Sequence, residues 1–132
     1  MKKAEPLWIL ERVVLALHDQ LLAAHGGAEG LRDAGLLESA LARPHQHYAY
    51  GSPDIVELAA LYTAGLVRNH PFVDGNKRIG FAIGIVFLEL NGFDFIASEE
   101  DATQAIFSLA AGTLGEAEYT IWLRANVSRR RR

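Results

Sequence analysis

The chain has 132 residues, a mass of 14.5 kDa and a mean hydropathy of +0.08, and 50% of its residues are hydrophobic. This length and composition predict one compact domain with a single core. The absence of cysteine excludes a disulfide scaffold, a thiolate metal site and a cysteine nucleophile, and it fits a cytoplasmic protein.

Charge is distributed unevenly along the chain. The formal net charge is −3, but four of the 13 basic residues are the arginines at 129–132, so the remainder carries nine basic against 16 acidic side chains. An acidic body argues against a nucleic-acid partner, because nucleic-acid-binding domains usually have a basic face. We expect residues 1–128 to form the domain and the arginine tail, residues 129–132, to be disordered.

The N-terminal part of the chain predicts two helices. The first spans about residues 6–25, where apolar side chains recur at steps of three and four and Gly26 supplies a stop signal. A glycine-rich loop, residues 26–30, then leads to a short helix over about residues 36–42. We expect this helix to end before Pro44, because proline disfavours a helical residue before it.

A loop over residues 45–52 is predicted next, followed by a third helix. Asp54 with Glu57 three residues later resembles a capping box, and the apolar stripe behind it predicts a helix that ends near Asn69. This helix therefore places His70 at its C-terminal end.

The fourth helix is predicted over residues 76–90 and is apolar on every face in its middle. Such a helix belongs in the centre of the core, and Gly80 and Gly84, one turn apart, would allow a neighbouring helix to approach closely. The apolar run, residues 79–88, is too short to cross a bilayer, which needs about 20 residues. We therefore expect no membrane association.

The C-terminal part predicts an extended piece over residues 93–96 and two further helices. One begins at the capping residue Ser98 and runs to about residue 111; the last spans about residues 116–126. The last helix offers three residues to the core: Ile121, Trp122 and Leu123. Because strands are scarce, the predicted fold class is all-α.

Candidate chemistry is concentrated in residues 70–78. Histidine can take a proton from a hydroxyl near neutral pH, so His70 is a candidate general base. Asp74 offers a hard oxygen ligand suited to Mg²⁺. Gly75 and Asn76 fall where the fourth helix begins, and the unpaired backbone N–H groups of a helix start bind anions.

Lys77 and Arg78 add two cations beside this helix start. Each residue of the segment also has a plain structural reading, as a helix end, a turn or a solvated first turn. Cations in the first turn of a helix oppose its dipole, however, which favours an anion bound nearby. The combination predicts a site for a metal-bound triphosphate, in which Lys77 and Arg78 hold phosphate oxygens.

This stretch, His-Pro-Phe-Val-Asp-Gly-Asn-Lys-Arg, resembles the catalytic signature of the Fic/Doc family. Further stretches resemble its short death-on-curing (Doc) branch, namely Leu-His-Asp at 17–19, the segments 26–27, 30–33 and 35–40, and the Asn-Gly helix end at 91–92. Fic-type motifs have glycine at the position of Lys77, whereas Doc-type motifs have lysine, as here. Gly75 and Pro71 are typical of the Fic form, so the loop is mixed.

The resemblance implies a Fic-like helical bundle whose central apolar helix follows the catalytic loop, and an enzyme that uses ATP and Mg²⁺. Doc-type members are protein kinases and toxins of toxin–antitoxin modules, which implies phosphorylation of a threonine or serine of elongation factor Tu and arrest of translation. It assigns catalysis to His70 and Lys77, metal binding to Asp74, and nucleotide binding to Gly75, Asn76, Lys77 and Arg78. It also implies a cognate antitoxin.

Two other functions remain open. One is a Fic-type AMP transferase, which label from the α- or γ-phosphate of ATP would distinguish from a kinase. The other is a catalytically silent module that only binds a partner.

Several other residues are weaker candidates. Arg68 matches a Doc arginine but also fits simple compensation of a helix dipole. His18 and Asp19 are interpreted as structural, and His45 and His47 as surface residues without a third zinc ligand. The loop at residues 26–30 is a candidate for presenting the target, because mobile loops often carry function.

Overall fold

The computed structural model describes residues 5–130 and shows a mostly helical domain with one small sheet. The elements in chain order are α1 Glu11–His25, α2 Ala34–Tyr50, α3 Ile55–Asn69, α4 Asn76–Leu90, β1 Phe93–Phe95, α5 Glu99–Ala111, α6 Glu116–Ala125 and β2 Val127–Arg129. The all-α prediction is confirmed, with the two-stranded sheet as the addition.

Helices α3 and α4 form the centre of the core, and their contact depends on small residues. A Cβ atom at Gly80 would lie 2.8 Å from Val67 Cγ2 and 3.1 Å from the Thr63 carbonyl oxygen, and one at Gly84 would overlap the Thr63 hydroxyl. The Thr63 hydroxyl donates to the carbonyl oxygen of Gly80 at 2.8 Å. The predicted close approach of a neighbouring helix at both glycines is therefore confirmed.

The local start signals predicted for two helices are present. Asp54 accepts from the Glu57 backbone N–H at 2.9 Å and Glu57 returns a bond to the Asp54 N–H, which completes the capping box of α3. Ser98 accepts from the Asp101 N–H at 3.1 Å at the start of α5. These bonds satisfy N–H groups that have no acceptor within the helix.

The prediction for the second helix was wrong, because α2 continues through Pro44 to Tyr50. Proline inside a helix costs about 3 kcal/mol in an exposed setting. Here Pro44 is buried, and the residues after it are fixed by Trp8, whose ring stacks on His45 at 3.9 Å and meets Tyr48 edge-on at 5.4 Å. Tertiary packing thus turns residues 45–50 of the predicted loop into helix.

The first helix begins at Glu11, later than predicted. Residues 5–10 before it have no regular secondary structure, and Ile9 packs in the core. The Ile9 N–H donates to the Tyr62 hydroxyl at 3.2 Å and the Leu7 N–H to Asn91 Oδ1 at 2.9 Å. Leu7 and Leu10 are exposed, so they do not belong to a helical core stripe.

At the C-terminus the ordered chain extends beyond residue 128. Strand β2 pairs antiparallel with β1, placing Phe93 opposite Arg129. Arg130 donates its backbone N–H to the Gly92 carbonyl at 2.8 Å and its guanidinium to Asp94 at 2.9 Å. Arg129 and Arg130 are therefore paired with a segment 36 residues away, whereas the domain was predicted to end at residue 128. The part of the predicted disordered tail at residues 131–132 lies outside the described part of the chain.

Helix α6 contributes two of its three predicted residues to the core. In α6, Leu123 is buried and Trp122 half-buried as predicted for core residues, whereas Ile121 is exposed, which corrects its assignment. Over the described residues, none of the helices has the length and apolar character required to cross a membrane.

Candidate active site

His70 sits at the end of α3 in a left-handed backbone conformation, with φ 53° and ψ 53°. Among residues 5–130 it is the only non-glycine residue with positive φ. Such a conformation costs about 1–3 kcal/mol and persists only when its surroundings enforce it. The Arg32 guanidinium supplies one such restraint, since its Nε donates to the His70 carbonyl at 2.7 Å and its Nη2 to that of Asn69 at 3.0 Å.

The segment after the glycine-rich loop runs alongside the residues that follow His70. Leu31 and Phe72 form an isolated antiparallel bridge, the Val73 N–H donates to the Gly30 carbonyl at 3.0 Å, and the Pro71 carbonyl accepts from the Arg32 N–H at 2.7 Å. Hydrogen bonds therefore connect residues 30–33 to residues 71–73, and the glycine-rich loop lies beside the candidate active site.

Asn76 closes the turn that connects His70 to α4. Its side chain is 3% exposed; its Oδ1 accepts from the Phe72 N–H and its Nδ2 donates to the Phe72 carbonyl, both at 2.9 Å. The Phe72 side chain is itself buried in the core. The Asn76 side chain is thus committed to the loop, and only its backbone N–H remains to serve as the predicted anion ligand.

Replacing Asn76 by alanine is expected to lower the free energy of unfolding by roughly 2–4 kcal/mol, because two buried backbone groups of Phe72 lose their partners. Asn126→Ala is the matched control, since that amide donates to the Trp122 carbonyl at 2.8 Å in a partly buried setting, and we expect a loss of about 1 kcal/mol. Urea unfolding of both variants measures the difference, and equal losses would contradict this role of Asn76.

Asp74 is exposed, and its carboxylate is oriented by backbone groups. Oδ1 accepts from the Gly75 N–H at 2.8 Å and Oδ2 from the Ala28 N–H at 3.2 Å. The hydrogen bond from Gly75, that from Ala28 and the nearby charges of Arg78 and Lys77 hold the pKa of Asp74 below its usual value. The group is therefore ionised near neutral pH, as a Mg²⁺ ligand must be.

The start of α4 provides an anion-binding geometry. Gly75 precedes the helix with φ 78°, a conformation that favours glycine, and no side chain of residues 5–130 caps the helix start. The first intrahelical bond runs from the Ile79 N–H to the Gly75 carbonyl at 2.9 Å. The preceding N–H groups have no acceptor within the helix, and the helix dipole makes this end attractive to phosphate.

A cavity of about 770 Å³ opens over this loop, and all six predicted site residues line it: His70, Asp74, Gly75, Asn76, Lys77 and Arg78. The side chains of Lys77 and Arg78 are exposed, and Lys77 Nζ lies 5.4 Å from the centroid of the Phe107 ring. The volume falls in the range of ligand pockets in proteins. Among the described residues, no group of three or more His, Asp or Glu side chains is placed to hold a metal, so Asp74 would bind one together with phosphate oxygens.

The opposite wall of the cavity was missed by the sequence analysis. It comes from β1 and α5 and from the end of α1, and includes Phe95, Thr103, Phe107 and His25. Thr103 and Phe107 lie four residues apart, which places them on one face of α5. The sequence carries that spacing, but only the fold shows that this face turns toward residues 70–78.

The weaker candidates do not line the cavity. Arg68 forms an ion pair with Glu116 at 3.2 Å and does not line the cavity. His45 stacks on Trp8 and His47 is exposed at the far end of α2. Asp19 is exposed on α1, whereas His18 is buried beneath the loop, in agreement with a structural interpretation.

Comparison with known proteins agrees with this geometry. A model of the Fic/DOC family matches residues 8–88. The chain is 34% identical to "Protein kinase doc" of Escherichia phage P1 over 88 residues, 66% of this chain and 70% of that protein. It is 42% identical to "Toxin Doc" of Mycolicibacterium smegmatis over 85 residues, 62% of this chain and 64% of that protein.

The aligned part thus spans about two thirds of the length of these relatives. The family match takes in α1, α2, α3 and most of α4, and with them the whole loop that lines the cavity. On this match and these two relatives, the chain belongs to the Fic/DOC family and, within it, to the Doc branch.

Proposed function

We propose that this protein is the toxin of a toxin–antitoxin module and acts as an ATP-dependent protein kinase. The observation that carries the kinase proposal is Lys77, an exposed side chain in the first turn of α4 that lines the cavity where AMP-transferring Fic proteins have glycine. The names of the two relatives, a protein kinase and a toxin, support the two parts of the proposal.

In this reaction, the exposed His70 accepts the proton of a substrate hydroxyl. The oxygen of that hydroxyl attacks the γ-phosphorus of ATP, and ADP leaves. The helix start at Gly75 and Asn76, with the cations of Lys77 and Arg78, stabilises charge on the transferred phosphoryl group. Mg²⁺, when bound, neutralises charge on the nucleotide phosphates, and the ionised Asp74 is the residue that fits it.

The Doc resemblance gives elongation factor Tu as the candidate substrate, with a threonine or serine as the acceptor. It also gives a cognate antitoxin as the partner that restrains the toxin. The apolar side of the cavity, including Phe95 and Phe107, is suited to receive an amphipathic segment of such a partner.

The test is label transfer to purified elongation factor Tu from ATP labelled at either the α- or the γ-phosphate. The parent is expected to transfer the γ-label, and His70→Ala and Lys77→Gly are expected to lose it. Lys77→Ala is the matched control, because it removes the ammonium without placing glycine in the first turn of α4. Equal loss in both Lys77 variants would assign the effect to the charge.

Transfer of the α-label by the parent would replace the kinase by an AMP transferase, the alternative that Gly75 and Pro71 of the mixed loop favour. If neither label is transferred to this factor, the same assay on a cell extract distinguishes a different substrate from a module that only binds. Absence of label in the extract, with antitoxin binding retained, would reject catalysis.

A further inference from the structure

His18 is a buried titratable residue that the proposed reaction does not use. It lies on α1 with 3% exposure, directly beneath the loop that carries the candidate site. Its ring stacks on Phe72 with centroids 3.7 Å apart and planes 14° from parallel. Its Nε2 lies 2.8 Å from the carbonyl oxygen of Asp74. Because a carbonyl oxygen only accepts, Nε2 carries the proton in this contact.

This hydrogen bond fixes the orientation of the whole peptide group between Asp74 and Gly75. In a trans peptide the C=O and the following N–H point in opposite directions, and residues 5–130 contain no cis peptide. Because the Asp74 carbonyl points toward His18 on α1, the Gly75 N–H points away from α1. That N–H donates to Asp74 Oδ1 at 2.8 Å and lies at the start of α4.

The same peptide would be free to rotate without a restraint. Gly75 has φ 78°, and glycine adopts positive and negative φ with nearly equal ease. A flipped peptide would turn the carbonyl dipole toward the helix start, where phosphate is expected, and would withdraw the N–H from the Asp74 carboxylate. Both changes oppose the binding of an anion and of a metal at this place.

We propose that His18 is a positioning residue that locks the orientation of the peptide between Asp74 and Gly75, and through it the metal-binding carboxylate. The stack on Phe72 holds the imidazole in place, and the Nε2 hydrogen bond performs the locking. The effect of this restraint on catalysis rests on the proposed function. The hydrogen bond from His18 to the Asp74 carbonyl is itself present in the loop without any ligand.

Three substitutions separate the two contacts of His18. His18→Phe keeps the ring stack and removes the donor. His18→Gln and His18→Met are matched in length and both lack the ring, but only glutamine offers a donor. Leu22→Ala is the control for destabilisation, since Leu22 lies one turn further along α1, is buried, and packs beneath Gly75, where its Cδ2 would lie 3.6 Å from a Cβ.

Two readouts are needed. The first is the NMR shift of the Gly75 amide proton in the protein without ligand, which is displaced downfield when the amide donates to a carboxylate. The second is the affinity for Mn²⁺ with a non-hydrolysable ATP analogue, measured by calorimetry. We expect His18→Phe and His18→Met to lose the downfield shift and to weaken binding roughly 10–100-fold, as for other groups that orient metal ligands, while His18→Gln and Leu22→Ala retain both.

Binding and amide shifts that stay at the parent values in His18→Phe would overturn the proposal. If His18→Phe does not fold, the comparison of glutamine with methionine decides, and equal behaviour of those two variants overturns it as well. If the parent fails to bind the nucleotide, the proposed function fails, but the Gly75 amide shift still decides whether His18 holds the peptide.

Discussion

Replacing His70 by alanine is expected to lower phosphoryl transfer roughly 10²–10⁴-fold, the usual contribution of a general base. The side chain is exposed and lines the cavity, so we expect the core to stay intact and binding of the nucleotide to persist. Initial rates at saturating ATP measure the effect. His47→Ala is the matched control, because His47 is an exposed histidine on α2 that does not line this cavity.

A second substitution at the same position separates activity from stability. His70 has φ 53°, and a left-handed conformation costs a residue with a Cβ roughly 1–2 kcal/mol more than it costs glycine. His70→Gly is therefore expected to be as inactive as His70→Ala but more stable than that variant by about 1 kcal/mol. Retained transfer in either variant would reject His70 as the base, and a less stable glycine variant would show that the conformation is not strained.

The sequence could reveal the residues of the candidate site but not the contacts that support them. The six site residues lie within nine positions of the chain, so their chemistry and the helix start behind them could be predicted together. The support for the loop could not. Arg32 contacts His70 from 38 positions away in the sequence, and His18 contacts Asp74 from 56 positions away. Nothing in the local sequence of either residue indicates which backbone oxygen it contacts.

The same distinction holds for the fold. The start of α3 at its capping box and that of α5 at Ser98 were predicted correctly, because the groups that form these caps are three residues apart. The length of α2 and the pairing of β2 were missed, because Trp8 and β1 act from distant parts of the chain. A proline predicts the end of a helix, and a run of arginines predicts a disordered tail, only where no such distant contact competes.

A large loss of stability is expected for Gly84→Ala in the contact between α3 and α4. A methyl group there would overlap the hydroxyl of Thr63, a residue that is 1% exposed. This hydroxyl donates to the Gly80 carbonyl and is hydrogen-bonded with Tyr119. Alanine favours a helix over glycine by about 1 kcal/mol. Overpacking costs about 1–3 kcal/mol, and disturbing the buried hydroxyl costs about as much again. The net loss of unfolding free energy is therefore expected to be about 3 kcal/mol.

Urea unfolding measures this loss, and Gly35→Ala is its control. Gly35 lies in the first turn of α2 and is exposed. Its added Cβ would lie 3.3 Å from Asp33 Oδ1, the N-cap oxygen that accepts from the Leu36 N–H, and this tight contact opposes the gain of replacing glycine by alanine in a helix. That variant is therefore expected to be close to neutral. The double variant Thr63→Ala with Gly84→Ala identifies the cause. Removing the hydroxyl makes room for the methyl group, so the double variant is expected to lose less than the sum of the two single losses. Additive losses would mean that the Thr63 hydroxyl is not the cause and would point to the Ala59 carbonyl oxygen, which would lie 3.3 Å from the added Cβ.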